Sequence, residues 1–247
     1  MLSAECYGPL VSTGLPSMTE KPRYVAAMFA RIAPRYDLMN TLMTVGQDRV
    51  WRRAIAEAAL STQHLALSTR VLDVGTGTGK LASAIEDAAP SSRVVGVDFT
   101  EGMLRVAPRQ LLLAAGDALQ LPFADAQFDA VVSAFVVRNL ADVDRGIAEQ
   151  VRVLRPGGKL VVLETTPGPP GPLRHVYRLC FRYLVPWLGQ LIAGDPSAYT
   201  YLPESTLAFL EPTRVADVLR TCGLHEVEVR RLALGSVAIT QGSKPAA

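Results

Sequence analysis

The stretch that most constrains this chain is Arg70-Val-Leu-Asp-Val74, then Gly75-Thr-Gly-Thr-Gly79, then Lys80 to Ala89. A short β-branched run, three alternate glycines and a run of helix formers read as strand, tight turn and helix. Glycines there let backbone approach a ligand closely, and the following helix offers its amino terminus to a negative group. A second strand, Arg93-Val-Val-Gly-Val97, stops at Asp98, 19 residues past Gly79. An acid at that place can accept both hydroxyls of a ribose.

The rest of the chain repeats the alternation. Leu111 to Ala115 and Phe128 to Ser133 read as the third and fourth strands, and Thr100-Glu-Gly-Met-Leu as a capped helix start. Val143 to Leu154 reads as a helix stopped by Arg155-Pro-Gly-Gly158, and Lys159 to Glu164 as a fifth strand. This order implies an α/β fold with a parallel sheet covered on both faces. Glu226 to Arg230 alternate polar and apolar residues, and Gly235 separates them from Ser236 to Thr240, so an antiparallel pair is expected at the sheet edge. Pro167-Gly-Pro-Pro-Gly-Pro172 breaks the chain before a helical insert over 173–210.

Hydrophobic residues make up 49% of the chain and charged ones 19%, which excludes disorder and supplies a sizeable core. No run of about 18 uncharged apolar residues is present, so a membrane span is not expected. The nearest candidate, Leu184 to Gly194, is broken by Pro186 and Gln190. Met1 to Ser17, with Gly8, Pro9, Gly14 and Pro16, lacks the pattern of a secretory signal. Residues 1–20 therefore read as a flexible lead-in to one domain, 21–247, whose first part, 21–60, is a helical lid.

The net charge of +2 conceals 21 arginines against four lysines, with no basic-aromatic box for nucleic acid. Cys6, Cys180 and Cys222 are too scattered for a zinc pair or a disulfide framework, which fits a cytoplasmic setting. His64, His175 and His225 show no ligand spacing and read as surface or packing residues, so no metal site is expected.

The glycine turn suits either a nicotinamide dinucleotide or S-adenosylmethionine, or is only a tight turn. The dinucleotide fingerprint is GxGxxG, whereas here Asp73 precedes Gly75, Gly77 and Gly79. S-adenosylmethionine has no pyrophosphate and carries an ammonium and a sulfonium, so an acid such as Asp73 suits it better. Gly116-Asp117-Ala118, after the third strand, puts a carboxylate within reach of an adenine amine.

These elements, with Leu154-Arg-Pro-Gly-Gly158, resemble the class I S-adenosylmethionine-dependent methyltransferases. The resemblance implies a Rossmann-like, seven-stranded, mostly parallel sheet with an antiparallel carboxyl-terminal hairpin. Further motifs are Phe29-Ala-Arg-Ile-Ala-Pro-Arg-Tyr-Asp-Leu-Met-Asn40, Val97-Asp-Phe-Thr-Glu-Gly-Met103, Val137-Arg-Asn139 and Tyr199-Thr-Tyr-Leu-Pro-Glu-Ser205. Together they resemble the quinone-biosynthesis family of demethylmenaquinone and polyprenyl-benzoquinol C-methyltransferases, over roughly residues 25 to 240. The chain departs from that family at Lys80, where an acid is usual, and at Ala134, where a small hydroxyl is often found, here on Ser133.

The resemblance implies S-adenosylmethionine as cofactor, with Thr78, Phe99, Met103 and Ala134 joining the residues above in its site. It implies a prenylated quinol as substrate, demethylmenaquinol before benzoquinol. Arg138 is then the electrostatic partner of the quinol oxygen and Asn139 its orienter, with Tyr36 and Asp37 placed to hold the quinol or take its proton. Blander roles are open: Tyr36 packs as a lid residue, and Arg138 bridges Asp37 or Asp142. Methylation of another phenol, or a cofactor-binding subunit without catalysis, are the rival functions.

A prenylated substrate lives in the bilayer. Arg174, Arg178 and Arg182 lie at four-residue spacing beside Val176, Leu179, Cys180, Tyr183 and Leu184, the pattern of an interfacial helix on anionic lipid. A cap helix with solvated arginines is the alternative. Peripheral attachment at the inner face of the cell membrane is the matching expectation for location, and a homodimer is left open.

Overall fold

The computed structural model describes residues 17, 19–61, 69–169, 171–192 and 196–246. The lead-in at 1–16, Cys6 and His64 lie outside the described residues, as does the side chain of Cys180. Seven strands form one sheet: β1 (Arg70–Val74), β2 (Arg93–Asp98), β3 (Leu112–Ala115), β4 (Phe128–Ala134), β5 (Leu154–Thr165), β6 (His225–Leu232) and β7 (Val237–Ser243). Their order is β3-β2-β1-β4-β5-β7-β6, with β1 to β5 parallel and β7 antiparallel to both neighbours. The parallel order and the antiparallel carboxyl-terminal pair are those expected from the sequence.

Period-two alternation explains why these strands read as unbroken apolar runs. Leu72, Val74, Val131, Leu160 and Val162 point to one face, where Ile147 and Val151 of α5 (Val143–Val153) and Val215 and Leu219 of α8 (Pro212–Thr221) cover them. Val71, Ala130, Val132, Val161 and Leu163 point to the other, against Ile55 of α2 (Gln47–Leu60) and Leu81 and Ile85 of α3 (Lys80–Ala88). Helix α5 begins where the Asp142 carboxylate accepts the Arg145 amide at 2.9 Å, a cap that contributes about 1 kcal/mol.

A third cluster lies off the sheet. Met28, Ile32 and Met39 of α1 (Lys21–Met43) pack with Val185 of α6 (Leu173–Ile192) and Tyr199 and Tyr201 of α7 (Pro196–Leu207). The insert is therefore a helical pair seated on α1.

Three expectations need correction. The lid ends at Met43, because α2 buries Trp51, Ile55, Ala56 and Ala59 against the sheet core. Thr100 begins only a four-residue helix, α4 (Glu101–Leu104), and makes no side-chain cap there. Strand β5 starts at Leu154 rather than Lys159: Leu154 pairs with Phe128 and Lys159 with Ala130, so Arg155 to Gly158 bulge out of a ladder that continues on both sides.

Candidate active site

The direction of chain progression reverses between β1 and β4, and a parallel sheet opens a crevice at the carboxyl ends of its strands where that happens. A cleft partly open to solvent lies there. Its floor is Gly75, Gly77, Asp98, Phe99, Met103, Asp117, Ala118, Ala134, Phe135 and Asn139, and its roof is Pro22, Val25, Phe29 and Tyr36 of α1.

Gly75 has φ +67°, and a Cβ on it would lie 2.2 Å from Cγ2 of Val136, so only glycine closes this turn. The turn is held by the Asp98 carboxylate, which accepts the Gly77 amide at 2.8 Å and the Thr100 amide at 2.7 Å. Burial raises the Asp98 carboxyl above its ordinary value, opposed by those two amides and by the Thr100 hydroxyl. Asp117 accepts the Leu119 amide at 2.8 Å and stands with Ala118 across the floor. Met103 closes the wall, its Cε 3.2 Å from where a Cβ on Gly77 would be.

Three of the expected cofactor residues, Asp73, Thr78 and Gly79, support the turn rather than line the cleft. Asp73 is 1% exposed and accepts the Thr76 hydroxyl at 2.7 Å. Burial pushes its carboxyl up to about 7, the Thr76 hydrogen bond pulls it down, and the Asp98 charge raises it further. Thr78 is buried and donates its hydroxyl to Asp37 at 2.7 Å. Gly79 makes room for Leu111, whose Cδ1 would lie 2.3 Å from a Cβ there. Asp37 lies outside the cleft lining and also meets Lys80 at 3.6 Å, so Lys80 has turned toward the lid.

On the substrate side Tyr36 lines the cleft, edge-on to Phe29 with ring centres 5.7 Å apart. Burial raises its phenol, while a hydrogen bond with Asn40 and the Arg138 charge lower it. Asn139 lines the cleft too, donates to the Phe135 carbonyl at 3.2 Å and accepts the Tyr201 hydroxyl at 3.1 Å, which ties the insert to this turn.

Arg138 bridges neither Asp37 nor Asp142, as one reading expected. It is buried against Glu164, which accepts its Nη1 and its backbone amide. The correction has a simple cause: both residues sit at the carboxyl ends of adjacent strands, whereas Asp142 is engaged as the α5 cap.

Two residues were missed from sequence. Glu164 ends the apolar run Lys159-Leu-Val-Val-Leu-Glu164, and a buried charge closing such a run at the ligand-binding edge was a readable sign. Lys21 donates its Nζ to the carbonyls of Arg138 and Leu140, at 2.8 and 2.9 Å, and pins the start of α1 to the turn. Burial lowers its amine to about 8, with the Arg138 charge acting the same way and Glu164 opposing. It reads in sequence as an ordinary helix-start lysine.

Along α6, Arg174 turns back to Glu211 at 2.8 Å, while Arg178, 3.5 Å from the Pro167 carbonyl, and Arg182 stay exposed. Beside these arginines α6 also exposes Val176, Leu179, Tyr183, Leu184 and Trp187, as α1 and its end expose Leu38, Leu42 and the 86% exposed Val45.

The fold recurs in solved structures. A methyltransferase from Aquifex aeolicus described as S-adenosylmethionine dependent aligns over 76% of this chain and 88% of its own, with TM-score 0.53 and 18% identity. The cyclase SpnF aligns over 79% and 82%, with TM-score 0.57 and 18% identity. At such identity, and with a cyclase among them, these likenesses establish the fold alone. Sequence relatives are closer. The demethylmenaquinone methyltransferase of Deinococcus radiodurans is 45% identical, over 91% of this chain and 94% of that protein. That of Thermus thermophilus is 44% identical, over 88% and 100%. The profile of one family spans residues 17–244, from the turn before α1 to the end of the sheet, and so takes in both the glycine turn and the Arg138 turn. With that span and those identities, the chain belongs to the ubiE/COQ5 methyltransferase family.

Proposed function

We propose that this protein methylates a ring carbon of demethylmenaquinol with S-adenosylmethionine as donor. The observation that supports it best is the joining of two unlike surfaces in one cleft. A nucleoside seat of Gly77, Asp98 and Asp117 adjoins an aromatic and aliphatic wall of Val25, Phe29 and Tyr36 that suits a flat, apolar ring. The relatives above carry the matching name.

The residues fit the donor: the turn at Gly75 and Gly77 leaves backbone bare, and Asp98, with lone pairs beyond those given to two amides, suits a ribose diol. Asp117 is placed for an adenine amine. When bound, S-adenosylmethionine supplies an electrophilic methyl on sulfur, which the ring carbon takes as the carbon–sulfur bond breaks and the ring then loses its proton. The protein's own work is to orient the quinol between Tyr36 and Asn139, exclude water under α1, and stabilise negative charge on the ring oxygen with Arg138. Arginine stays protonated and acts as a fixed cation, not as a base.

Purified protein with methyl-labelled S-adenosylmethionine and short-chain demethylmenaquinol should place label on the ring carbon, faster than with a polyprenyl-benzoquinol. Retained donor binding with no ring label overturns this reading.

Asp73 gives the donor affinity a pH dependence. A raised folded carboxyl is protonated below about 7, and a cationic ligand favours its ionised form. Affinity should therefore rise from pH 6 to pH 8 and level off above, by proton linkage, with about tenfold as the ceiling because Asp73 acts from beneath the turn. Calorimetric titration checks this, and Asp73→Asn should flatten the profile. A wild-type profile already flat rejects the link.

We also propose peripheral membrane contact through the apolar face of α6 and the end of α1, supported by the exposed side chains there and by the lipid nature of a prenylated quinol. The two tryptophans separate the signal, since Trp51 is buried and Trp187 exposed. Vesicles containing phosphatidylglycerol should shift Trp187 emission to the blue. Replacing Leu179, Tyr183 and Trp187 by Ser should abolish co-sedimentation, while Arg174→Gln, at the arginine held by Glu211, should reduce it little. The reverse ranking would restore the basic-stripe reading.

A further inference from the structure

Glu164 and Arg138 form a more specific device than an ion pair needs to be. The Glu164 side chain is 6% exposed, as is that of Arg138. One carboxylate holds the arginine at both ends: Oε1 accepts Nη1, and Oε2 accepts the Arg138 backbone amide at 3.2 Å. The carboxylate is itself fixed, since Oε1 also accepts the Thr165 amide at 2.8 Å and the Thr165 hydroxyl at 3.3 Å. Clamping the backbone and the tip of one side chain to a single rigid group closes a ring through all of its torsions.

The guanidinium held this way lies over the Phe135 ring, with its carbon 5.6 Å from the ring centre. Phe135 lines the cleft and carries φ +61°, a left-handed backbone for a bulky residue, so the strand end is bent to present it. The Nε of Arg138 is buried and finds no partner. A buried donor without an acceptor is costly, and a pair serving stability alone has no reason to leave one. Buried ion pairs are also poor stabilisers compared with apolar substitutes. Arg138 directly precedes the cleft-lining Asn139, and its charge is felt by the cleft-lining Tyr36.

We propose that Glu164 is the positioning residue of the reaction, holding the Arg138 guanidinium behind the cleft-lining Phe135, itself outside the cleft lining, so that its fixed positive charge acts on the quinol oxygen. This rests on the methylation reading above. The charges around the pair are Lys21, which meets the Arg138 carbonyl at 2.8 Å, and the phenols of Tyr36 and Tyr177. None of them can replace Glu164 as the arginine's counter-ion, being a cation and two groups whose burial disfavours ionisation.

The wild-type methyl-transfer assay decides the underlying reading first, and three variants then decide the role of Glu164. Glu164→Gln and Arg138→Gln should each lower kcat by about 30-fold or more, with the dissociation constant for S-adenosylhomocysteine within about threefold of wild type. The double variant should be no slower than Arg138→Gln, because both changes act through one guanidinium. Where Glu164→Gln does not fold, Glu164→Asp takes its place, since the shorter arm withdraws the guanidinium while keeping the charge. A second readout uses 2-naphthol bound with S-adenosylhomocysteine, whose ultraviolet spectrum reports its ionisation. Wild type should ionise it at lower pH than free solution does, and Glu164→Gln should lose that shift as Arg138→Gln does. A retained or enlarged shift in Glu164→Gln, kcat within threefold of wild type, or a further loss in the double variant would each overturn the proposal.

Discussion

Asp98→Ala weakens S-adenosylmethionine binding by on the order of 100-fold or more, the sum of two charge-assisted hydrogen bonds at about 1.5–3 kcal/mol each. The residue has two tasks. Its outer lone pairs face the cleft, and its inner ones accept the Gly77 and Thr100 amides that shape the turn. Alanine removes both, so the amides of the turn lose their acceptor while the ribose loses its own. Asp98→Asn separates the tasks: an amide oxygen can keep one of the backbone bonds but carries no charge, and should recover only part of the affinity. Isothermal titration with S-adenosylhomocysteine measures both. Since the sheet core lies beneath this edge and does not use Asp98, the melting temperature should fall by only a few degrees. Unchanged affinity in Asp98→Ala would remove the ribose assignment and with it the nucleoside seat.

The parts of this site that were legible in sequence are those made by backbone direction. Strand, glycine turn and acid at the next strand end follow one another in the chain, so Gly75, Gly77, Asp98 and Asp117 reach one edge of the sheet by topology alone. Side-chain destinations were less legible. Asp73 has the right spacing to face a ligand, yet period two on a strand turns it beneath the loop, where Thr76 takes it. Gly79 has the look of a ligand glycine and serves the packing of Leu111. Arg138 was identified without its partner, because Glu164 is 26 residues away and only the pairing of β4 with β5 brings them together. Arg174 of α6 shows the same limit: helical spacing gives the face, but Glu211 decides where its guanidinium ends.

Arg138→Ala should lower turnover by on the order of 100- to 1,000-fold, the usual loss when one fixed electrostatic partner of a developing oxyanion is removed. Two effects must be kept apart, because the same change leaves Glu164 buried without its cation, at a cost of about 3–5 kcal/mol. For a chain of this size that lowers the melting temperature by roughly 10 °C. Single-turnover methylation measured well below the new midpoint isolates the chemical step, and S-adenosylhomocysteine affinity close to wild type shows that the seat under Asp98 is intact. The pH dependence gives an internal check. With the Arg138 charge gone, one of the two influences that hold the Lys21 amine at about 8 disappears, so that amine should titrate higher in the variant. Its charged form costs stability below the folded value and is relieved as the amine deprotonates. In wild type, stability from this group therefore rises from about pH 8 toward 10.5, and in Arg138→Ala the rise should start later and be smaller. Turnover within threefold of wild type, in protein shown to be folded, would take Arg138 out of the mechanism and leave its pair with Glu164 as a purely structural contact.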